Sequence, residues 1–260
     1  MSERKKNIEG TRPGIVADLQ PSDDQSAIVR KLGAISLLSQ EEIDFLEGLQ
    51  NNTLAIAAGT DFITDGNDLR TTFIMMEGWA KRYVLLPSGR RQILSYVLPG
   101  DILGLHVNFR SKATYSAAAL TDCKVAVVDP RRMLEISQKF PVLAAGLSWC
   151  TAREFAILGD QAVRLGRLGA QQRIAHLLLE LRSRMRLIGE TNGEWLDFPM
   201  TQADLADTLG LSIVHVNRQL MDLRQRKIIT LERDHVHLDD VKALSEMSHF
   251  DFEHLAEFQI

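Results

Sequence analysis

The sequence predicts an α+β chain: an N-terminal jelly roll or β-barrel, a long helix that seeks a partner, and a C-terminal winged helix-turn-helix. Three observations carry this. Between Thr53 and Asp129, short apolar runs are punctuated by Gly59, Gly66, Gly78, Gly89, Gly100 and Gly104. After Pro141, apolar residues recur at threes and fours over about 25 residues, a length near 37 Å at helical rise. Finally, Thr201 to Ile229 holds two short helical patterns that meet at Gly210, with a hairpin-like stretch behind them.

The bulk properties admit this plan and restrict the alternatives. With 260 residues, 45% hydrophobic and 25% charged, the chain can bury two cores. A net charge of −4 gives no global basic bias, so any grip on nucleic acid has to come from a local patch. No apolar run approaches the ~18 residues of a membrane span, and the N-terminus shows no secretory h-region. Cys123 and Cys150 suit a reducing, cytoplasmic setting and no disulfide framework.

Taken in order, residues 1–29 read as a polar, flexible arm with Pro13 and Pro21. Ser39 and Glu42 form a capping box, with Leu38 as hydrophobic staple, and open a helix faced by Ile43, Leu46 and Leu49. Residues 30–140 form the β-domain. Its strands include Phe73–Met76, Tyr83–Leu86, Gln92–Val97 and Lys124–Val128, with a hairpin turn at Pro87–Arg90 and a corner at Pro99–Asp101. Arg131 and Arg132 open a short helix through Ile136, and Pro141 suits the first turn of the long one.

On that long helix, residues 141–168 with their hinge, Leu147, Thr151, Phe155, Leu158, Ala162 and Leu165 lie on one stripe. The stripe predicts a parallel seam with a second copy, a homodimer. Gly166 and Gly169 mark the hinge. Ala170–Ile188 is a further amphipathic helix, and Trp195–Phe198 a short strand. The C-terminal domain covers 169–245, and the tail 246–260 has no assigned role.

Within it, Thr201 caps a first helix with Asp204 as its capping-box partner, and Gly210 permits a left-handed corner. Ser212 caps a second helix that turns Val216, Leu220 and Leu223 inward. Ile228–Leu231 and His235–Leu238 around Glu232–Asp234 read as a wing. The pattern predicts double-stranded DNA as partner, with the second helix in the major groove. Val214, His215 and Arg218 are the candidate base readers, and Thr201, Ser212 and Asn217 the candidate phosphate contacts. Arg218 stands out because guanidinium matches guanine O6 and N7 bidentately. Arg224, Arg226 and Lys227 add local positive charge.

This order of parts resembles the Crp/Fnr family of bacterial transcription regulators, from about residue 33 to about residue 240. LADTLGLSIVHVNRQLMDLR (205–224) looks like the family's DNA-recognition signature, and GRRQILSYVLPGDILG (89–104) its β-barrel core. The resemblance implies a transcription regulator that binds a palindromic operator as a homodimer, with RNA polymerase a further possible partner. Many relatives hold glutamate where Val214 stands, so the operator is expected to depart from the commonest half-site there.

The resemblance also bears on effectors. Cyclic-nucleotide binders hold the ribose with a glutamate where this chain has Leu105, and the phosphate with an arginine near where it has Tyr115. Leucine accepts no hydrogen bond and tyrosine carries no positive charge, so control by cyclic AMP in the usual way is not expected. Lys81, Arg82, Arg90 and Arg91 read as solvated strand ends before they read as another anion site. An iron–sulfur sensor needs four cysteine ligands, and this chain has two. A haem sensor needs an axial ligand, for which His106 is the one histidine before residue 150; that and a redox role for Cys150 are the alternatives within the family. Outside it, a cupin-like enzyme fails on histidine count, so no catalytic, metal or cofactor site is expected. A winged helix docking a protein partner is the other alternative.

Overall fold

The computed structural model describes residues 25–105 and 112–250. Its N-terminal half is a β-sandwich. Strands β1 (Thr53–Ile56), β2 (Asp61–Ile63), β3 (Thr72–Glu77), β4 (Ala80–Leu85), β5 (Arg91–Val97), β6 (Ile102–Leu103), β7 (Ser116–Ala119) and β8 (Cys123–Val128) make two antiparallel sheets. Their orders are β1-β8-β3-β6 and β2-β7-β4-β5, and the inner faces share one core containing Ile63, Met75, Val97, Ala117 and Val125.

Strand β3 explains why its sequence lacks alternation. Phe73 and Met75 enter the sandwich core, whereas Ile74 faces outward into a second cluster. A strand covered on both faces reads as a continuous apolar run. The cover comes from α1 (Ala27–Gly33), α2 (Gln40–Gly48), α3 (Pro130–Lys139) and the start of α4 (Pro141–Arg167). The capping box at Ser39 and Glu42 is formed, and proline opens both α3 and α4.

The body starts earlier than the arm boundary at residue 29 allows. Ala27, Ile28 and Val29 are buried in α1, and Ile28 alone is worth about 1.5–3 kcal/mol of burial. That helix is too short to announce itself by periodicity. It is pinned instead by a close approach: a Cβ on Gly100, at φ +80°, would meet the Ala27 carbonyl at 2.8 Å. The rest of the arm, residues 1–24, lies outside the described residues, as does the tail from 251.

The C-terminal half contains α5 (Ala170–Leu187), β9 (Trp195–Asp197), α6 (Gln202–Leu209), α7 (Ile213–Gln225), β10 (Ile229–Glu232), β11 (His235–Leu238) and α8 (Val241–Ser248). Its three strands pair in the order β10-β11-β9. The expected hinge is the extended Leu168 with Gly169 capping α5. Tertiary contacts nonetheless join the halves closely. One hydrophobic cluster runs from Trp79, Ile93 and Tyr96 of the sandwich through Ile157 of α4 to Leu178, Leu205 and Leu209. Phe250, in the otherwise unassigned tail, is buried edge-on against His176, ring centroids 4.9 Å apart.

Candidate nucleic-acid interface

The helix-turn-helix is built by its caps. Thr201 Oγ1 accepts from the Asp204 backbone N–H at 3.1 Å, and the Asp204 carboxylate accepts in return from the Thr201 N–H and hydroxyl. Gly210 ends α6 at φ +62°, the left-handed corner that a β-carbon disfavours. Ser212 Oγ accepts from the His215 N–H at 3.2 Å and starts α7. Val216, Leu220 and Leu223 are buried on the inner face of α7.

The outer face is left open. Val214 is 79% exposed and Ile213 50%, at the first turn where a recognition helix enters a groove. Asn217 and Arg218 are exposed beside them, and His215 is half-buried. Ser212 is exposed as well. Thr201, also a candidate phosphate contact, is exposed, and its N–H and hydroxyl both donate to Asp204. It holds the helix that supports α7. At the far end, Arg226 pairs with Asp222 at 3.4 Å, whereas Arg224 and Lys227 are exposed. The wing follows, β10 and β11 joined through Arg233 and Asp234, with Arg233 at φ 45°.

The long helix divides into two faces. Leu143, Gly146, Cys150, Arg153, Ile157, Gln161 and Arg164 are buried against the chain itself. The predicted seam looks away: Phe155 is 78% exposed, Leu158 43%, and Thr151 and Ala162 are exposed too. Leu147 is half-buried. Leu165 is half-buried as well and has a second neighbour, its Cδ2 lying 3.1 Å from where a Cβ on Gly210 would sit.

Of the four cations singled out in the β-domain, Arg90 is exposed beside the hairpin turn, but Lys81, Arg82 and Arg91 are not solvated strand ends. Lys81 is buried, and its ammonium sits 2.5 Å from Asp204. Arg91 reaches Asp204 at 3.2 Å and Asp207 at 2.9 Å, while Arg82 pairs with Glu154 of α4 at 3.1 Å. Gln92 donates to the carbonyls of Asp207 and Thr208, and the Tyr96 and Thr208 hydroxyls are bonded at 2.7 Å. Lys81, Arg91, Gln92 and Tyr96 dock α6 on β4 and β5, a role the sequence reading did not assign to them. A partial signal existed, since Asp204, Asp207 and Thr208 put polar groups on a face of α6 away from the corner.

Tyr115 is buried, with the Arg82 guanidinium 5.6 Å from its ring centre. Leu105 packs at the edge of the second cluster. Burial raises the Cys123 and Cys150 thiols, which favours the inert protonated form over a redox switch. His106 lies outside the described residues. Among the described residues no cluster of three or more His, Cys, Asp or Glu is placed to hold a metal ion, and no helix is long and apolar enough to cross a membrane.

Comparison with known proteins agrees with this geometry. Residues 172–247 match the family described as a Crp-like helix-turn-helix domain, and residues 53–140 match the cyclic nucleotide-binding domain. The transcriptional activatory protein AadR of Rhodopseudomonas palustris is 32% identical over 68% of this chain and 73% of its own. The nitrogen fixation regulation protein FixK of Bradyrhizobium diazoefficiens is 31% identical over 78% of this chain and 84% of its own. Among solved structures, FixK2 from Bradyrhizobium japonicum superposes with a TM-score of 0.68 at 25% identity, covering 75% of this chain and 96% of that one.

Proposed function

This chain belongs to the Crp/Fnr family of DNA-binding transcription regulators, and on that premise we propose that two copies, joined along α4, grip a two-fold operator. It is a regulator and not an enzyme. The observation that carries the DNA reading is the first half of α7, which keeps Val214, Asn217 and Arg218 in solvent while Val216, Leu220 and Leu223 anchor it.

In this reading Arg218 and His215 address base edges, and Val214 and Ile213 offer apolar contact to thymine methyls. Ser212 and Asn217 serve phosphates. The exposed Phe155, Leu158 and Ala162 stripe supports the homodimer, because a large apolar strip on a lone helix gains by pairing. A symmetric pair would set its recognition helices about 34 Å apart, one turn of duplex. The protein works in the cytoplasm, where its DNA is, and RNA polymerase is the further partner that family membership implies. In this reading cyclic AMP does not control it in the usual way.

The test is selection of bound sequences from random duplex by the purified full-length protein. An inverted repeat with half-sites one turn apart, bound with steep salt dependence, supports the reading. Unselective binding, or a single unrepeated half-site, overturns it.

A further inference from the structure

A small crevice lies where α4, the Pro99–Asp101 corner, α1 and α5 meet, with a cavity of about 20 Å³. Neither Leu105 nor Tyr115 lines it, although Arg82, which does, also lies over the Tyr115 ring. Four cations border it, Lys31, Arg82, Arg153 and Arg184, against two carboxylates, Asp101 and Glu154. Both carboxylates are already taken. Asp101 pairs with Lys31 and Arg184, each at 2.6 Å, and Glu154 with Arg82 at 3.1 Å.

Arg153 is left over. It is 7% exposed, and neither of its terminal nitrogens, Nη1 or Nη2, has a hydrogen-bond partner. The Trp149 ring lies 5.0 Å from the guanidinium carbon, a contact with the plane that leaves the N–H groups unsatisfied. Burial, and then Arg184, hold the Arg153 pKa down to about 10, so the group is still charged at neutral pH. Buried polar groups are almost always paired, and a buried charge without a partner is more costly still.

We propose that this crevice binds one small monovalent anion, of halide or formate size, on the free Nη1 and Nη2 of Arg153. The volume admits about one water-sized occupant and excludes a nucleotide or a phosphate ester. Glu154 and Leu187, which line it, are only half-buried. Because Lys31, Arg82, Arg153 and Arg184 come from α1, β4, α4 and α5, a bound anion ties the sandwich, the long helix and the DNA-binding half at one point.

Thermal unfolding of the full-length protein, with gluconate exchanged for chloride, bromide or formate at constant ionic strength, tests this. The midpoint is expected to rise by a few degrees with the small anions and not with gluconate. Arg153→Met is expected to fold, since it removes an uncompensated buried charge, and to lose that response. An equal anion response in both proteins overturns the proposal. Crystals grown in bromide decide it independently of the variant: an anomalous peak within hydrogen-bonding reach of the Arg153 Nη atoms supports the site, and a water or nothing there overturns it.

Discussion

Lys81 on β4 places its ammonium 2.5 Å from the Asp204 carboxylate on α6, across 123 residues of sequence. The same carboxylate closes the capping box with Thr201 and receives Arg91 at 3.2 Å. One side chain therefore shapes the helix-turn-helix locally and fastens it to the β-sandwich. Removing Lys81 leaves that carboxylate buried with a weaker set of partners. Lys81→Met is expected to cost about 2–4 kcal/mol, read from urea unfolding, with part of the loss recovered by adding Asp204→Asn. A double variant no more stable than the sum of the two singles predicts would remove the coupling.

The acid limb of stability should be traceable to Asp101. Burial by itself raises this carboxyl, but Lys31 and Arg184 outweigh it and hold it far below the usual carboxylate range. A depressed folded-state pKa contributes stability above the unfolded value, about 3.9, and that contribution drains away as pH falls below it. Asp204 is held down in the same sense, chiefly by Lys81 and Thr201 acting against its burial. Urea midpoints should be level near neutrality and drop below about pH 4. Asp101→Asn should be less stable at pH 7 and show a shallower acid drop.

Phe155, 78% exposed on α4, is the position at which to test the seam. A charge there opposes an apolar interface without touching the buried face of the same helix. Phe155→Asp is expected to shift the protein from dimer to monomer in sedimentation, and to weaken operator binding at least tenfold through lost bivalency. Circular dichroism should be unchanged. A variant that sediments as wild type would place the dimer contact elsewhere.

Arg218 is exposed on α7, outside the buried set Val216, Leu220 and Leu223. Arg218→Ala should leave unfolding within about 0.5 kcal/mol of wild type. It should cost about 1–3 kcal/mol of operator affinity and relax preference at one base pair of each half-site. Selection of bound sequences by the variant distinguishes a base reader from a phosphate contact, which would weaken all sequences alike.

The family resemblance implies that Leu105 and Tyr115 take the places of a nucleotide binder's glutamate and arginine, and Tyr115 is buried beneath Arg82. Calorimetric titration with cyclic AMP is expected to give no binding heat at millimolar ligand, and operator affinity should be unaffected by it. Heat with a micromolar midpoint would show that other residues have taken over the phosphate.

Much of this protein is written locally. Capping boxes at Ser39 and Thr201, proline at the start of α4, and the inward Val216, Leu220 and Leu223 are short-range patterns. Each is decided within a few residues by hydrogen-bond geometry or helical periodicity, so α2, α4, α6 and α7 were legible, as was the run of strands. The exposed ends of α7 and of the α4 stripe were legible for the same reason: what a periodic pattern does not bury, it presents.

The sequence alone thus determined the helices from α2 onward, the run of strands, the two faces of α4 and the outward face of α7. Tertiary structure decided which charges are buried together. Lys81 with Asp204, Arg184 with Asp101 and the unpartnered Arg153 are separated in sequence by loops and a hinge, and no local rule relates them. The physical reason is that burial and pairing are properties of the closed surface between elements. A lysine on a strand is solvated until something packs over it, and here the something is α6.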